Sequence, residues 1–506
     1  MMAALDVLVA GCSESEPPAR AIVVALESWP QNLDPRFATD ASSSRIGDLV
    51  FRALTRAGTD QRHVPDLALE WRLESPRAVV FHLRRDAVFH DGTPVRAGDV
   101  RAVYESILDP ATASPKRGSV AFLEAVEAPD PYTVRFRMKE PYAPYLEAST
   151  IGIVPATMVG KGGPVTIGSG PFRVSESRAG DEVRLRAVSA NQGLEEIRFR
   201  VIPDDTVRTL EVRRGTVQLV ENAIEPDNLE WLASHTDRCI ERTRGTTFQY
   251  LGFNLRRPPL DHIRVRRAIA LAIDRESIIA GLLGGTARAA TGLLSPEHWA
   301  YEPSVRTYAH DPAQARRLLD EAGYPDPDGS GPAVRFRLSY KTTVLDSRRR
   351  IAEAVQANLA DVGVGVDVQS YEWGTFYGDV RRGNFEMYSL AWVGVTDPDI
   401  YFDLMHSSRM PPAGNNRGGY DSAEIDVLTE RGRRTLEPAD RREIYSAVQR
   451  IAADELPMIP LWWSDVVAVR DPRLCGFTPA PDGRLDSLRF AWWSSPASSP
   501  GCECPR

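Results

Sequence analysis

The sequence predicts an α/β protein made of several lobes. Three observations carry this. The chain has 506 residues, and at about 150 residues per domain the expectation is roughly three domains. Short strands with period-two alternation recur along it, and amphipathic helices are interleaved with them. No repeat period is visible, and away from the two ends no long low-complexity segment separates the lobes. Lobes that share strands are therefore expected, rather than beads on a string.

Each element has a local cause. Val79, Phe81 and Leu83 alternate with Val80, His82 and Arg84, giving a strand with one face on a core. Asp91-Gly92 makes a turn, and Val100, Val103, Tyr104, Ile107 and Leu108 then form a helical stripe. Tyr132, Val134, Phe136 and Met138 mark a second strand, and Ile197, Phe199 and Val201 a third. Residues 263–283 read as one helix with Val265, Ile269, Ala272 and Ile273 on a face. Residues 311–323 read as another. Asp311 suits its cap, Pro312 its first position and Gly323 a left-handed stop. Residues 334–340 and 362–368 return to period two, and residues 441–456 form a helix that ends before Pro457. Trp462 and Trp463 follow as strand residues.

Composition narrows the function. The 61 basic and 69 acidic residues leave a net charge of −8, which argues against a nucleic-acid partner. Hydrophobic residues make up 42% and charged residues 26%, the balance of a globular chain. No apolar run reaches the ~18 residues of a membrane span, so a multi-span transporter is excluded. Only Lys116, Lys139, Lys161 and Lys341 are lysines. This skew reads as a GC-rich genome, and Arg348, Arg349 and Arg350 read as a solvated helix face.

The five cysteines are Cys12, Cys239, Cys475, Cys502 and Cys504. No spacing suits zinc. Leu8-Val9-Ala10-Gly11-Cys12 resembles a bacterial lipobox, in which the cysteine is acylated and the chain is cut before it. Ser13 to Ala19 would be a tether. The first basic residue is Arg20, and Asp6 interrupts the apolar stretch, so the expected signal peptide begins upstream of Met1. The Ser/Pro-rich residues 494–506 read as a disordered tail. An exported chain can form disulfides, and Cys239 with Cys475 is one candidate pair.

No phosphate loop, dinucleotide fingerprint, zinc-protease motif or nucleophile elbow is present, and Gly168-Ser169-Gly170 lacks the elbow's spacing. No cofactor and no metal site is expected. Tryptophan is more informative. Trp29, Trp373 and Trp392 lie near strand ends or turns, where large aromatics can line a ligand cleft.

Several blocks, in order, carry a resemblance. They are Pro65 to Trp71, Phe81 to Pro94 with Asp99-Val100, Gly168 to Phe172, Phe253-Asn254 with Pro259 to Asp261, and Val265 to Arg275. Glu372-Trp373, Gly383 to Glu386, Trp392 to Asp399, Asn416 to Tyr420 and Leu456 to Leu461 complete the set. The chain resembles the family 5 extracellular solute-binding proteins, the receptors of ABC importers, from about residue 21 to about 490.

The resemblance implies a two-lobed periplasmic-binding-protein-like fold (type II) with an additional inserted domain. Lobe I would comprise 20–46, 166–252 and 468–493, the inserted domain 47–165 and lobe III 253–467, with residues 1–19 as signal remnant and tether. The chain would cross the hinge near Phe253 and again between Ser464 and Val469. A peptide or other small solute would lie between the lobes, with the ABC permease as partner and the membrane reached through the Cys12 lipid. The receptor would be an extracytoplasmic monomer without catalytic activity. Candidate ligand-binding residues are Trp29, Tyr250, Asn254, Trp373, Trp392 and Asp397. In peptide-binding relatives an aspartate shortly after the equivalent of Trp392 pairs with the peptide ammonium. Here Val395 stands in that place, which leaves Asp397 as the nearest substitute. The family also includes receptors for nickel chelates, haem, sugars and opines. A secreted hydrolase using clustered carboxylates is the alternative of a different class.

Overall fold

The computed structural model describes residues 20–494 and 504, apart from 59, 161–164, 190–192 and 330. Cys12 and the tether lie outside the described residues, as does the tail except for Ser494 and Cys504.

An eleven-stranded sheet organises the chain. Two long strands, Cys239–Phe253 and Met458–Arg470, run antiparallel at its centre. On one side follow Leu219–Glu221, Ala21–Leu26, Glu196–Val201, Glu182–Ala187 and Phe172–Arg178. On the other lie Met387–Trp392, Phe336–Thr343 and Val364–Tyr371. Each long strand thus belongs to both halves. Their register shifts between Thr243 and Thr247, opposite Ser464 to Val466. A bulge bends a strand and raises its twist. Gly245 sits there with its backbone on the Ser464 carbonyl, leaving no room for a side chain. Phe253, where the crossing was expected, is the far end of this strand and pairs with Met387.

The inserted segment carries its own four-stranded antiparallel sheet of Ala68–Ser75, Ala78–Leu83, Thr133–Met138 and Leu123–Asp130. Helix Ala97–Leu108 packs on this sheet, burying Val100, Val103, Tyr104 and Ile107. The Phe136 ring lies 5.1 Å from Phe81 and 4.8 Å from Tyr104. These residues form one apolar cluster with Ile22, Val24, Leu26 and Phe199 of the large sheet. Helix Ala41–Val50 spans the expected boundary at residues 46 and 47. Shared elements and a shared core join the insertion to its lobe.

Most local signals are realised. Asp311 accepts from the Gln314 amide at 2.8 Å, capping Pro312–Glu321, and Gly323 has φ +89°. Arg96 offers no side-chain cap to Ala97–Leu108, but its amide donates to Asp99 at 2.9 Å. The helix expected over 263–283 is two, Ile263–Ala272 and Arg275–Leu282. Asp274 breaks it, because its carboxylate accepts from the Ser277 amide as an N-cap and its own amide is taken by Asn358. Nor are the three arginines a simple solvated face. Arg348 donates to Gln249 at 3.0 Å and Arg350 reaches Asp227 at 3.4 Å, while Arg349 stays on its helix with Asp346 and Glu353. The cysteine pairing also differs from the candidate. Cys239 bonds to Cys504, and Cys475 is disulfide-bonded as well.

Gly168 and Gly170 clamp the end of helix Ala41–Val50. The Gly170 amide donates to the Val50 carbonyl at 2.8 Å, and His90 bonds the segment from the other side. A Cβ on Gly168 would collide with the Val50 carbonyl. Gly168→Ala is therefore expected to cost about 3 kcal/mol, the upper end for overpacking, read from urea unfolding midpoints.

Candidate functional site

Three of the predicted residues meet in the second half of the sheet. Tyr250 and Trp392 lie on adjacent strands, and Trp373 opens the helix Trp373–Arg382. Arg417 gathers them. Its guanidinium stands 5.2 Å from the Trp392 ring centre and 5.4 Å from that of Tyr377. It donates to the Tyr250 hydroxyl at 3.1 Å, the Tyr377 hydroxyl at 3.3 Å and Asn415 at 2.8 Å. Trp373 stacks on Tyr377 at 5.3 Å and is 57% exposed, so it is a rim residue. Burial raises the Tyr250 phenol above its ordinary pKa, which keeps it a neutral donor and acceptor. No carboxylate pairs with Arg417 among the described residues. Cation–π contacts and hydroxyls hold the charge instead.

The other predicted residues have different employment. Asn254 donates to the Gly383 and Phe385 carbonyls, both at 3.1 Å, and accepts from the Arg256 amide. It secures a loop, with both amide protons spent on backbone carbonyls. Asp397 forms a bidentate pair with Arg441, at 2.6 and 2.5 Å, and also accepts from the Asp399 amide. Both its oxygens are engaged, so it is unsuited to bind a cationic solute. Trp29 packs against the apolar core of the first lobe. Its neighbours Leu33 and Pro35, rather than Trp29, reach the cavity described next.

A cavity of about 310 Å³ opens where helix Ala41–Val50, the insertion, the 482–489 segment and the 394–396 loop converge. Gly394, at φ +66°, and Thr396 line it, whereas the Val395 side chain turns into the lobe's core. The loop is tied across the cleft. The Thr396 hydroxyl donates to Glu147 at 2.7 Å, and Glu147 also pairs with His63 at 2.9 Å. Nearby, Asp399 meets the Tyr142 hydroxyl at 3.5 Å and Arg433 at 3.2 Å. These contacts join the insertion to the far lobe.

Most charges in the cavity wall neutralise one another. Arg484 bonds Asp482 at 2.6 Å and approaches Asp486, which also takes Arg489 at 3.0 Å. Asp66 accepts from the Ala53 amide at 3.0 Å and lies 3.7 Å from Arg52. Asp48 and Lys116 are left over. Burial, with Asp486 and Asp482 adding repulsion against the weaker pull of Arg484 and Arg489, pushes the Asp48 carboxyl up to about 7. Burial lowers the Lys116 pKa, although the negative Asp48 and Asp34 partly restore it.

The Asp48 shift has a direction that can be measured. Between about pH 4 and pH 7 the folded protein holds a proton at Asp48 that the unfolded chain has released, so stability falls as pH rises through that window. Asp48→Asn removes this penalty. The variant is expected to exceed the wild type by about 1–3 kcal/mol at pH 8, with the advantage vanishing near pH 4. Urea titrations of both proteins at the two pH values check this.

Asp48, Lys116 and Arg441 were not singled out from sequence. Ser44 and Asp48 stand four residues apart on a helix, a polar-face spacing that normally means solvent.

A sheet whose two long strands are shared by both halves, an insertion fused to one lobe and a polar cavity at the junction fit a two-lobed solute-binding protein. Sequence comparison agrees. Residues 62–410 match the model of the bacterial extracellular solute-binding proteins, family 5 (middle), and the chain belongs to this family. It is 26% identical to the dipeptide-binding protein of Escherichia coli (strain K12), covering 92% of this chain and 93% of that protein. It is also 26% identical to the heme-binding protein A of Haemophilus influenzae, covering 83% and 82%. Among solved structures, NikA from Brucella suis in complex with Fe(III)-EDTA superposes with TM-score 0.86 at 24% identity, over 94% of this chain and all of that one. The oligopeptide-binding protein AppA from Bacillus subtilis, in complex with a nonapeptide, gives 0.81 at 23%, over 94% of this chain and 99% of that one. The two-lobed expectation is thus met. No helix among the described residues is long and apolar enough to cross a membrane.

Proposed function

We propose that the chain is the extracytoplasmic receptor of an ABC importer, taking up a peptide or peptide-like solute between its lobes and delivering it to the permease. The observation that carries this reading is the polar cavity of about 310 Å³ where helix Ala41–Val50, the insertion and the 482–489 segment meet, lined also by Gly394 and Thr396 of the facing loop. Its volume lies at the lower end of the range for small-molecule sites. Peptide relatives such as the di/tripeptide-binding protein 1 of Pseudomonas aeruginosa support the solute class. Lobe I is residues 20–46, 166–252 and 468–493, the insertion 47–165 and lobe III 253–467. The register shift near Thr243 acts as the hinge. The receptor works as a monomer, held at the membrane by a lipid on Cys12, and performs no catalysis. Nickel-chelate, sugar and opine solutes are the alternatives within the family.

Native mass spectrometry of protein purified without denaturation tests this reading. An intact small solute bound one to one is expected, unchanged after prolonged incubation. Steady turnover of added peptides would refute it. The anchor is tested separately with the chain exported behind a bacterial lipoprotein signal peptide that ends at Cys12. The wild type should partition into a detergent phase and Cys12→Ser into the aqueous one, since two or three acyl chains hold a protein stably.

A further inference from the structure

Two ionisable side chains in the cavity wall have no partner. Asp48 and Lys116 form no hydrogen bond through their side-chain charges and no ion pair among the described residues, although both line the same space. Lys116 feels the field of Asp48 at longer range, without contact. The remaining wall charges are paired, as shown above. Both side chains are half-buried, and a charge partly withdrawn from water with no partner carries a desolvation cost. Meanwhile the loop facing them presents no carboxylate, because Val395 points into the core and Asp397 is bound by Arg441.

We propose that the cavity recognises a zwitterionic solute, its cationic group paired with Asp48 on helix Ala41–Val50 and its anionic group with Lys116 of the insertion. The proposal rests on the receptor reading and deepens it. It moves recognition of the cation from the 394–397 loop to the opposite wall. A solute bridging Asp48 and Lys116 supplies both missing counter-charges at once, whereas a neutral or singly charged solute leaves at least one of them without a counter-charge. Lysine suits the second role, since its ammonium is a compact point charge on a flexible stem. The elevated Asp48 pKa agrees with a carboxyl that awaits a cation.

The test uses the full chain, stripped of small molecules by reversible unfolding, and a panel of probes read by thermal shift and calorimetry. The panel holds free di- and tripeptides, amino acids, betaines and sugar–amino-acid conjugates. It also holds the same peptides N-acetylated or C-amidated, and neutral sugars. Binding is expected only from probes carrying both charges. For the tightest of them, Asp48→Asn and Lys116→Met should each weaken binding by about thirtyfold or more. Asp48→Asn should also erase the penalty for N-acetylation, and Lys116→Met the penalty for C-amidation. Tight binding of a blocked peptide or a neutral sugar overturns the proposal and leaves the receptor reading standing. Unchanged affinity in both variants does the same. Silence from the whole panel also overturns it, and whether a solute is recovered from the freshly purified protein then decides the receptor reading separately.

Discussion

Arg441→Leu is expected to destabilise the protein by about 3–5 kcal/mol at pH 7, the usual result of removing one partner from a buried ion pair. Arg441 and Asp397 have side-chain exposures of only 6% and 15%, and the guanidinium holds both carboxylate oxygens. It also donates to the Gly432 carbonyl and lies 5.6 Å from the Trp299 ring. Without it, Asp397 is left beside Asp399, whose carboxyl burial already pushes up to about 6. The defect should shrink as pH falls toward 5, because protonation of Asp399 removes its repulsion of the neighbouring carboxylate. Asp397→Asn should likewise reduce stability while leaving solute affinity unaltered, since Asp397 supports the loop from behind. Urea melts at pH 7 and pH 5 and a solute titration report the two effects separately.

Phe136→Ala is expected to cost about 3–5 kcal/mol. Phe136 is fully buried in the insertion, edge-on to Phe81 and against Tyr104. The same cluster runs on to Ile22, Val24 and Phe199, so the lost contacts weaken the lobe as well as the insertion. One cooperative calorimetric transition, shifted as a whole, is expected. A separate early transition for the insertion would mean that its core is independent.

Much of the fold was legible because its signals are local. Alternation at Val134, Phe136 and Met138, and the Asp311 cap with its glycine stop, need only neighbouring residues to act. The helix break at Asp274 was missed because the apolar stripe runs through it, and the competing cap depends on Ser277 and on Asn358, 84 residues away. Tyr250, Trp373 and Trp392 gather around Arg417, which carried no distinguishing pattern, but none of them lines the junction cavity. Resemblance could not tell that Asp397 was already spent, because Arg441 lies 44 residues further along. Asp48 and Lys116 become notable only through what they lack, a partner, and sequence does not record that.

The central claim is that the solute occupies the junction cavity rather than the Arg417 aromatic cluster. Ser44 lines this cavity from the exposed side of helix Ala41–Val50, so Ser44→Trp fills it without entering the core. Calorimetric titration of the solute recovered from the native protein into the wild type and Ser44→Trp tests the claim most directly. A loss of at least about a hundredfold in affinity, or nearly 3 kcal/mol, with the unfolding midpoint retained, is the predicted result. Equal affinity in the two proteins would contradict it and place the solute elsewhere.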